Sequence, residues 1–477
     1  MKLPVQIGEP PEESKLDQAL HNLAAHNVSR NRDMSWLRFL VQLLRLGSSL
    51  EHELMVQYLY AAYSLGGPQV PEKYRPTVHQ WQETLLTVAR EEMGHLMTVQ
   101  NVLTFLGQDV DFARGEYPWN VTFFAYEPLT RGSLACYVFA EMNDLDEFEE
   151  REEITNLAMQ HLGLKGDPAR ALLPVGDLYC AVIELMGDEG KIPDYDLRGE
   201  SFQSQATWDD WGRGYKPNPR PLDPQGNLIN APEKENQSHA TVLVEPIATR
   251  TQAVDALMAV SIQGEGPWLG SDPKIEKSHF DRLIQMYRQL SRIEKEQHGK
   301  PCWALPVPTN PSVQEGDKSY ISAKHSQDWA VLFNIRYRML LFCLTHVFRL
   351  ARETRPDEPS VRGASIPRVF SEMYNLKTIS RILVQMPLTD DPKDPRRAGP
   401  PFYLPHDHAL PPADIDAWCK HLDLLRLSRQ LCHEILPKER IPQNKTFLLA
   451  LLDLDQERIE RIEGIIVGLG STERYTS

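Results

Sequence analysis

The residues best suited to chemistry in this sequence are carboxylates and histidines whose spacing predicts a site for two metal ions. Glu51 lies in SSLEHELMVQYLYAAYSL, Glu92 and His95 lie in AREEMGHLMTVQ, and Glu265 and His279 follow much later. A glutamate and a histidine three residues apart point to the same side of a helix, so Glu92 and His95 can share one ion. A second helix that brings Glu51 to the same place would give the beginning of a di-metal carboxylate site.

The first of these segments offers two acids, and the helical phase selects one. Glu51 and Glu53 cannot both face the interior of a bundle, because a step of two residues turns a helix by about 200°. Glu51 shares its face with Leu54, Met55 and Tyr58, whereas Glu53 lies on a more polar face. Glu51 is therefore the predicted ligand, and the alternative is a surface carboxylate. Tyr58, two turns along, is the candidate catalytic residue, able to hydrogen-bond or be oxidised near the metals.

Glu91 and Glu92 pose the same choice, and the Glu-x-x-His spacing favours Glu92 as the partner of His95. This spacing is common by chance, but here it lies among apolar residues such as Val88 and Leu96. A carboxylate and an imidazole in a buried stretch destabilise the fold unless charged partners or a metal satisfy them.

Composition narrows the class of partner. The chain has 477 residues, 66 acidic against 51 basic side chains and a net charge of −15, which argues against nucleic acid and anionic membrane surfaces. The start lacks the pattern of a signal peptide, and the most apolar run, WAVLFNIRYRMLLFCLTHVF, is interrupted by Arg336 and Arg338. We therefore expect a cytoplasmic protein, with no membrane or nucleic-acid partner, that binds a small molecule.

The hydrophobic periodicity predicts a mainly α protein in three parts. An N-terminal arm covers residues 1–34, a helical di-metal domain covers 35–290, and a further helical region covers 291–477. Helices are predicted at about 35–65, 77–106, 133–150, 175–186, 251–263, 275–290, 325–354, 364–385, 413–436 and 442–469. The acidic run EFEEREEITN is interpreted as a solvated face.

An irregular insert at about 187–248 interrupts the helical domain. It contains Trp208, Trp211 and several prolines, and it closes with the strand-like run TVLVEPI. Loops of this length in a compact domain are commonly binding loops, so we expect the insert to cover the bundle and shape a pocket beside the metals. The alternative is that it only mediates dimer contacts.

Several phrases, in order, resemble the ferritin-like domain of the iminophenylpyruvate dimer synthases, which act in bisindole pathways such as those of violacein and rebeccamycin. They are EHELMVQYLYAAYSL, EEMGHLMTVQNVLTFLG, VGDLYCAVIELM, IQGEG and SHFDRL, followed more weakly by AGPPFYLP and WCKHLDLLRLS. The resemblance spans roughly residues 36–290 and continues weakly to about 435. It implies a ferritin-like helical bundle.

The resemblance also implies the rest of the ligand set. Glu265 and His279 match a glutamate and a histidine of the family, and Asp177 in VGDLY stands where the family has a glutamate. Aspartate is one methylene shorter, so either its backbone lies closer to the metal or it binds through water. With Glu51, Glu92 and His95 the set gives four carboxylates and two imidazoles, the ligand count of a di-iron site.

The predicted function is a non-haem di-iron oxidase or oxygenase. It would act on a small, amino-acid-derived metabolite in natural-product biosynthesis and use dioxygen or peroxide, with two iron ions as the cofactor and manganese as the alternative metal. A homodimer is left open. The other hypotheses are a ferritin-like iron-binding or ferroxidase protein without an organic substrate, and a non-catalytic biosynthetic scaffold. The long aromatic insert argues against simple storage.

Overall fold

A computed structural model describes most of the chain. The described residues are 15–25, 28–114, 125–142, 148–166, 175–198, 204–207, 242–244, 246–265, 278–299, 302–350, 361–404 and 409–473. Within these ranges, repeating secondary structure is helical, and β-structure is limited to three isolated bridges.

Two groups of α-helices follow one another along the chain. The first comprises α1 (Lys15–Ala25), α2 (Trp36–Ser64), α3 (Arg75–Phe105), α4 (Arg131–Glu141), α5 (Arg151–His161), α6 (Val175–Gly187), α7 (Arg250–Glu265) and α8 (His279–Glu296). The second comprises α9 (Lys324–Arg349), α10 (Val361–Leu383), α11 (Asp414–Ile435) and α12 (Pro442–Glu473). The predicted mainly α fold with a further C-terminal helical layer is confirmed.

The central pair of the first group is α2 and α3, which pack along each other more extensively than any other two helices in the described residues. Ser35 caps α2 by accepting a hydrogen bond from the backbone N–H of Arg38, and Gly66 and Gly67 follow its end with positive φ angles of 96° and 106°. The left-handed conformation suits glycine because it has no Cβ. The chain can therefore reverse and enter α3 antiparallel to α2, with α6, α7 and α8 packed against the pair and α4 packed against α8.

Two helices lie where the sequence did not predict them. α1 forms inside the predicted N-terminal arm, where Leu16, Ala19 and Leu23 recur at helical spacing, and it packs against α6. α4 ends at Glu141, and α5 begins within the acidic run that was interpreted only as a solvated face. Ile154 and Ala158 bury one side of α5 against α4, so the acidic residues form the outer face of a helix.

The C-terminal layer is built on α9. This helix is long and apolar enough to cross a membrane by length and composition, but 78% of its apolar window is buried inside the protein. Its Arg336 is fully buried and forms ion pairs with Glu372 of α10, 3.1 Å away, and with Asp455 of α12. The run that carries Arg336 is therefore a core helix.

One turn of α2 connects the bundle to this layer. The imidazole of His52 lies 3.0 Å from the carbonyl oxygen of Phe112 through Nδ1, and Nε2 lies 2.5 Å from the hydroxyl of Tyr337 on α9. Burial raises the pKa of Tyr337 above its usual range, so the phenol keeps its proton and donates a hydrogen bond to Nε2. The next residue, Glu53, accepts a hydrogen bond from Tyr126 at 2.8 Å and pairs with Arg114 at 3.3 Å.

Candidate metal centre

Five ionisable side chains from four bundle helices meet in the interior, and each is at most 4% exposed. They are Glu51 of α2, Glu92 and His95 of α3, Glu141 of α4 and His279 of α8. Burial of so many charged or ionisable groups destabilises a fold unless they satisfy one another or bind an ion.

Glu92 lies between the two imidazoles. Its Oε2 is 2.8 Å from Nδ1 of His95, and its Oε1 is 3.0 Å from Nδ1 of His279. The two rings stack with centroids 5.3 Å apart. One ligand atom from each of these three residues falls within 4.8 Å of the others, which is the spacing of groups that can hold a metal. Each oxygen of Glu92 can therefore serve a different ion.

The other two carboxylates lie on opposite sides of Glu92. Oε2 of Glu51 is 3.4 Å from Nδ1 of His95, and Oε1 of Glu141 is 3.6 Å from Nδ1 of His279. The centre thus consists of a His95 half, with Glu51, and a His279 half, with Glu141, and the two halves share Glu92.

Three atoms of the centre are buried and make no hydrogen bond. They are Oε2 of Glu51, Oε1 of Glu92 and Nδ1 of His279. The last two are 3.0 Å apart, within ion-pair distance of each other. A buried polar atom without a partner costs about 1–3 kcal/mol. Oxygen and imidazole donors that face one space fit iron or manganese, so the residues present fit a di-metal cofactor.

Two tyrosines hold the outer carboxylates. The hydroxyl of Tyr58 donates to Oε1 of Glu141 at 2.6 Å, and that of Tyr179 on α6 donates to Oε1 of Glu51. Burial raises the pKa of Tyr58 well above its usual range, and the charges of Glu141 and Glu92 raise it further. Tyr58 therefore keeps its proton and orients Glu141.

The far nitrogen of each imidazole also has a partner. Nε2 of His95 is 2.9 Å from the amide oxygen of Gln263 on α7, and Nε2 of His279 is 3.1 Å from Oε2 of Glu91. Nη2 of Arg282, one turn after His279, donates to the same oxygen of Glu91 at 2.5 Å. Because Nε2 donates in both rings, the Nδ1 lone pairs can face the centre when an ion is bound.

Ser278 sets the position of His279. It caps α8 through a reciprocal capping box with Asp281, in which each side chain accepts from the other residue's backbone N–H at 3.1 Å. His279 is therefore the first helical residue of α8, four residues later than the sequence predicted the helix to begin.

The charges of the centre strongly perturb one another. Burial raises the pKa of Glu92 well above its usual range; His279 opposes this shift, while Glu51 and Glu141 reinforce it. Burial would lower the pKa of His279, but Glu92 and Glu141 outweigh it and raise the pKa to about 10. Without an ion the centre therefore holds protons, which a divalent cation would replace.

The structure brings together four residues of the predicted ligand set, namely Glu51, Glu92, His95 and His279, with Tyr58 beside them. Asp177 is half-buried and accepts a hydrogen bond from Asn22 of α1 at 3.3 Å. Tyr179, two residues and about 200° further round α6, donates a hydrogen bond to Glu51. Glu265 is the last residue of α7, and its side chain lies outside the described residues.

Sequence reasoning missed Glu141. It has no histidine three residues away, and it follows the apolar run LACYVFA at the end of α4. A lone acid at the end of a buried helix was the available signal. Glu91 was rejected as a ligand in favour of Glu92, and the structure places it behind His279.

The described parts of the insert pack along α3 beside this centre. Thr98 donates to the carbonyl of Leu243 at 2.9 Å, and Asn101 exchanges two hydrogen bonds with the backbone of Ala206. A Cβ on Gly94 would lie 2.7 Å from the backbone nitrogen of Leu243, so the insert approaches α3 at the residue next to His95. The tryptophan-rich part of the insert, which was predicted to line a pocket, lies outside the described residues.

Two proteins of known name are similar in sequence to this chain. Dichlorochromopyrrolate synthase of Lentzea aerocolonigenes is 27% identical over 445 residues, which cover 86% of this chain and 40% of that protein. The 2-imino-3-(indol-3-yl)propanoate dimerase of Chromobacterium violaceum is 27% identical over 299 residues, which cover 57% of this chain and 25% of that protein. The chain thus spans less than half the length of these relatives, and no solved structure matches it significantly.

A family model described as Ferritin-like matches residues 44–288, which is more than half of the chain and contains every residue of the centre. The two relatives and this match confirm the resemblance seen in the sequence. The chain belongs to the ferritin-like family.

Proposed function

We propose that this protein is a non-haem di-iron oxidase or oxygenase that acts on a small, amino-acid-derived metabolite in natural-product biosynthesis. The observation that carries the proposal is the buried cluster in which the two oxygens of Glu92 face two different imidazoles. Oxygen-rich ligand sets suit iron, with manganese as the alternative, whereas a closed structural zinc site would favour cysteine.

Each half of the centre would hold one ion. Glu51 and His95 would bind one, Glu141 and His279 the other, and Glu92 would bind both. Glu265 and Asp177 remain predicted ligands from the sequence alone. An iron pair held in this way supplies redox chemistry with dioxygen or peroxide.

The chain's own residues prepare this site in three ways. The bundle buries the ligands and so excludes bulk water. The phenols of Tyr58 and Tyr179 hold the outer carboxylates in orientation. Tyr58 also keeps a proton within 2.6 Å of Oε1 of Glu141, where it can be passed to or from a reacting group.

The proposed substrate class comes from the relatives. The name of one relative specifies a 2-imino acid that bears an indole, and at 27% identity the chemistry rather than the side chain is what we carry over. A planar, electron-rich imino acid suits oxidative coupling at a redox metal centre. We propose that the insert forms a wall of its binding pocket, and that the protein works in the cytoplasm without nucleic acid or membrane partners.

The ligand set is tested by metal analysis of protein purified without chelators. The parent should contain two iron ions per chain, and Glu141→Gln should lose at least one, because an amide is a poorer ligand and Tyr58 loses its carboxylate acceptor. Glu53→Gln is the matched control, since Glu53 lies two residues from Glu51 but faces Arg114. Two ions retained in Glu141→Gln, or the loss of an ion in the control, would refute the assignment.

Turnover separates the enzyme from the iron-binding alternative. Iron-loaded protein is reduced without oxygen and then exposed to air with and without an indole-bearing 2-imino acid, and organic products are followed by mass spectrometry. An oxidised or coupled product that requires the iron-loaded protein supports the proposed function. Iron oxidation with the imino acid unchanged would favour a ferroxidase.

A further inference from the structure

The two halves of the centre share a pattern of contacts but differ in the group behind each imidazole. Each half has a carboxylate held by a tyrosine and an imidazole whose Nε2 donates to a side-chain oxygen. For His95 that oxygen belongs to the neutral amide of Gln263, and for His279 it belongs to the carboxylate of Glu91.

Glu91 is built into this position. Its side chain is 3% exposed, and Oε2 accepts from both Nε2 of His279 and Nη2 of Arg282. Nη2 of Arg282 lies 2.5 Å from Oε2 of Glu91, and this ion pair keeps the buried carboxylate charged. Arg282 also balances that charge, so Glu91 influences the centre mainly through its 3.1 Å hydrogen bond with His279.

A charged acceptor changes an imidazole more than a neutral one does. Hydrogen bonds to ionised acceptors are roughly twice as strong as those between neutral groups. A carboxylate behind a metal-binding histidine fixes the tautomer and orientation of the ring and raises the basicity of the ligand nitrogen. Nδ1 of His279 should therefore donate to a cation more strongly than Nδ1 of His95.

We infer that the two metal positions are unequal, that the His279 half binds its ion more tightly, and that Glu91 is the positioning residue responsible. The inference rests on the proposed di-metal function. It predicts that the centre fills in two steps, the His279 half first.

The test is a titration of the metal-free protein with Co²⁺, followed by absorbance and calorimetry. The parent should show two binding steps. His95→Gln should keep the tighter step alone, and His279→Gln should keep the weaker step alone. Glu91→Gln should weaken the tighter step roughly 10–100-fold, the usual effect of removing such a partner, and leave the weaker step nearly unchanged.

Two further variants separate positioning from general damage. Glu83→Gln removes a partly buried carboxylate from α3 two turns before Glu91 and should leave both steps unchanged. Arg282→Gln keeps Glu91 but frees it from its anchor, and it should weaken only the tighter step, even if Glu91→Gln fails to fold. If the metal-free variants have the melting temperature of the parent while the affinity of the tighter step falls, the effect is on the ligand and not on the fold.

The outcomes are distinguishable. A parent that binds no Co²⁺ would overturn both this inference and the proposed function. Two ions bound with equal affinity, or a Glu91→Gln variant that weakens both steps alike, would overturn the inference and leave the di-metal function standing.

Discussion

Gly94 lies beside His95, a proposed ligand, and is one of the residues at which the insert contacts α3. A Cβ added there would be 2.7 Å from the backbone nitrogen of Leu243, 3.1 Å from its carbonyl oxygen and 3.1 Å from Cγ1 of Val242. Two of these atoms belong to the backbone, so a side-chain rotation cannot relieve the contact. Gly94→Ala should therefore push the segment 242–244 away from the helix.

The sign of the effect follows from two opposing contributions. Alanine in place of glycine inside a helix stabilises it by about 1 kcal/mol. Overpacking a close contact costs about 1–3 kcal/mol, and displacement of Leu243 would also break the hydrogen bond from Thr98, worth roughly 1 kcal/mol. We expect Gly94→Ala to lower the free energy of unfolding by about 1–3 kcal/mol.

Gly47 provides a matched control in the middle of α2. A Cβ there would meet only Cδ2 of Leu178 and the hydroxyl oxygen of Tyr179, both at 3.9 Å, which is ordinary contact. Gly47→Ala should therefore gain the helix propensity without the clash. It is expected to raise the free energy of unfolding by up to about 1 kcal/mol.

The two variants are compared by urea unfolding of metal-free protein, followed by circular dichroism at 222 nm, so that metal affinity does not enter the result. The reasoning requires opposite shifts of the midpoint. If Gly94→Ala were as stable as Gly47→Ala, the backbone of the insert would not lie against α3 as described.

Two further predictions concern the C-terminal layer. Burial, with two neighbouring arginines, lowers the pKa of His346 to about 4, so its neutral form stabilises the fold fully above the unfolded pKa of about 6.5. This contribution, at most about 3 kcal/mol, is lost as the pH falls from about 6.5 to 4. The urea midpoint should therefore vary less across that pH range in His346→Phe than in the parent. The control His79→Gln, at an exposed histidine, should follow the parent. Arg362 is buried and donates from Nη1 and Nη2 to four backbone carbonyls, two of them in segment 204–207. Arg362→Met should destabilise the protein by at least about 3 kcal/mol, since each buried carbonyl left unpaired costs about 1–3 kcal/mol. An effect no larger than that of Arg45→Met, at an exposed arginine, would contradict this role of Arg362.

The sequence predicted most of the helices because their stability depends on patterns within each segment. The expected helix at 35–65 is α2 at Trp36–Ser64, and the one at 413–436 is α11 at Asp414–Ile435. α5 was missed because its acidic outer face masks a narrow buried stripe that includes Ile154 and Ala158. Periodicity finds a helix best when its apolar face is wide.

The candidate site was predictable only where its residues are related within one helix. Glu92 and His95 share a turn of α3, and the phase of α2 separates Glu51 from Glu53. Glu141 has no such local partner, because what places it beside Tyr58 and His279 is the packing of α4 against other helices. Contacts between distant segments are set by tertiary structure, which a single sequence does not display.

The turn of α2 that holds Glu51 also holds His52, whose ring is fixed to Tyr337 of the C-terminal layer. The same turn of backbone thus carries Glu51 of the candidate metal centre and, on its other side, the contact between the bundle and the C-terminal layer. The family match stops at residue 288, but the contacts that hold this turn of α2 extend beyond it to Tyr337. Excision of the bundle at that boundary would expose the buried polar face of α2 around His52 to solvent. Any rotation of α2 that followed would also move Glu51. In this chain the limits of the family match therefore differ from the limits of the contacts that hold this turn of α2.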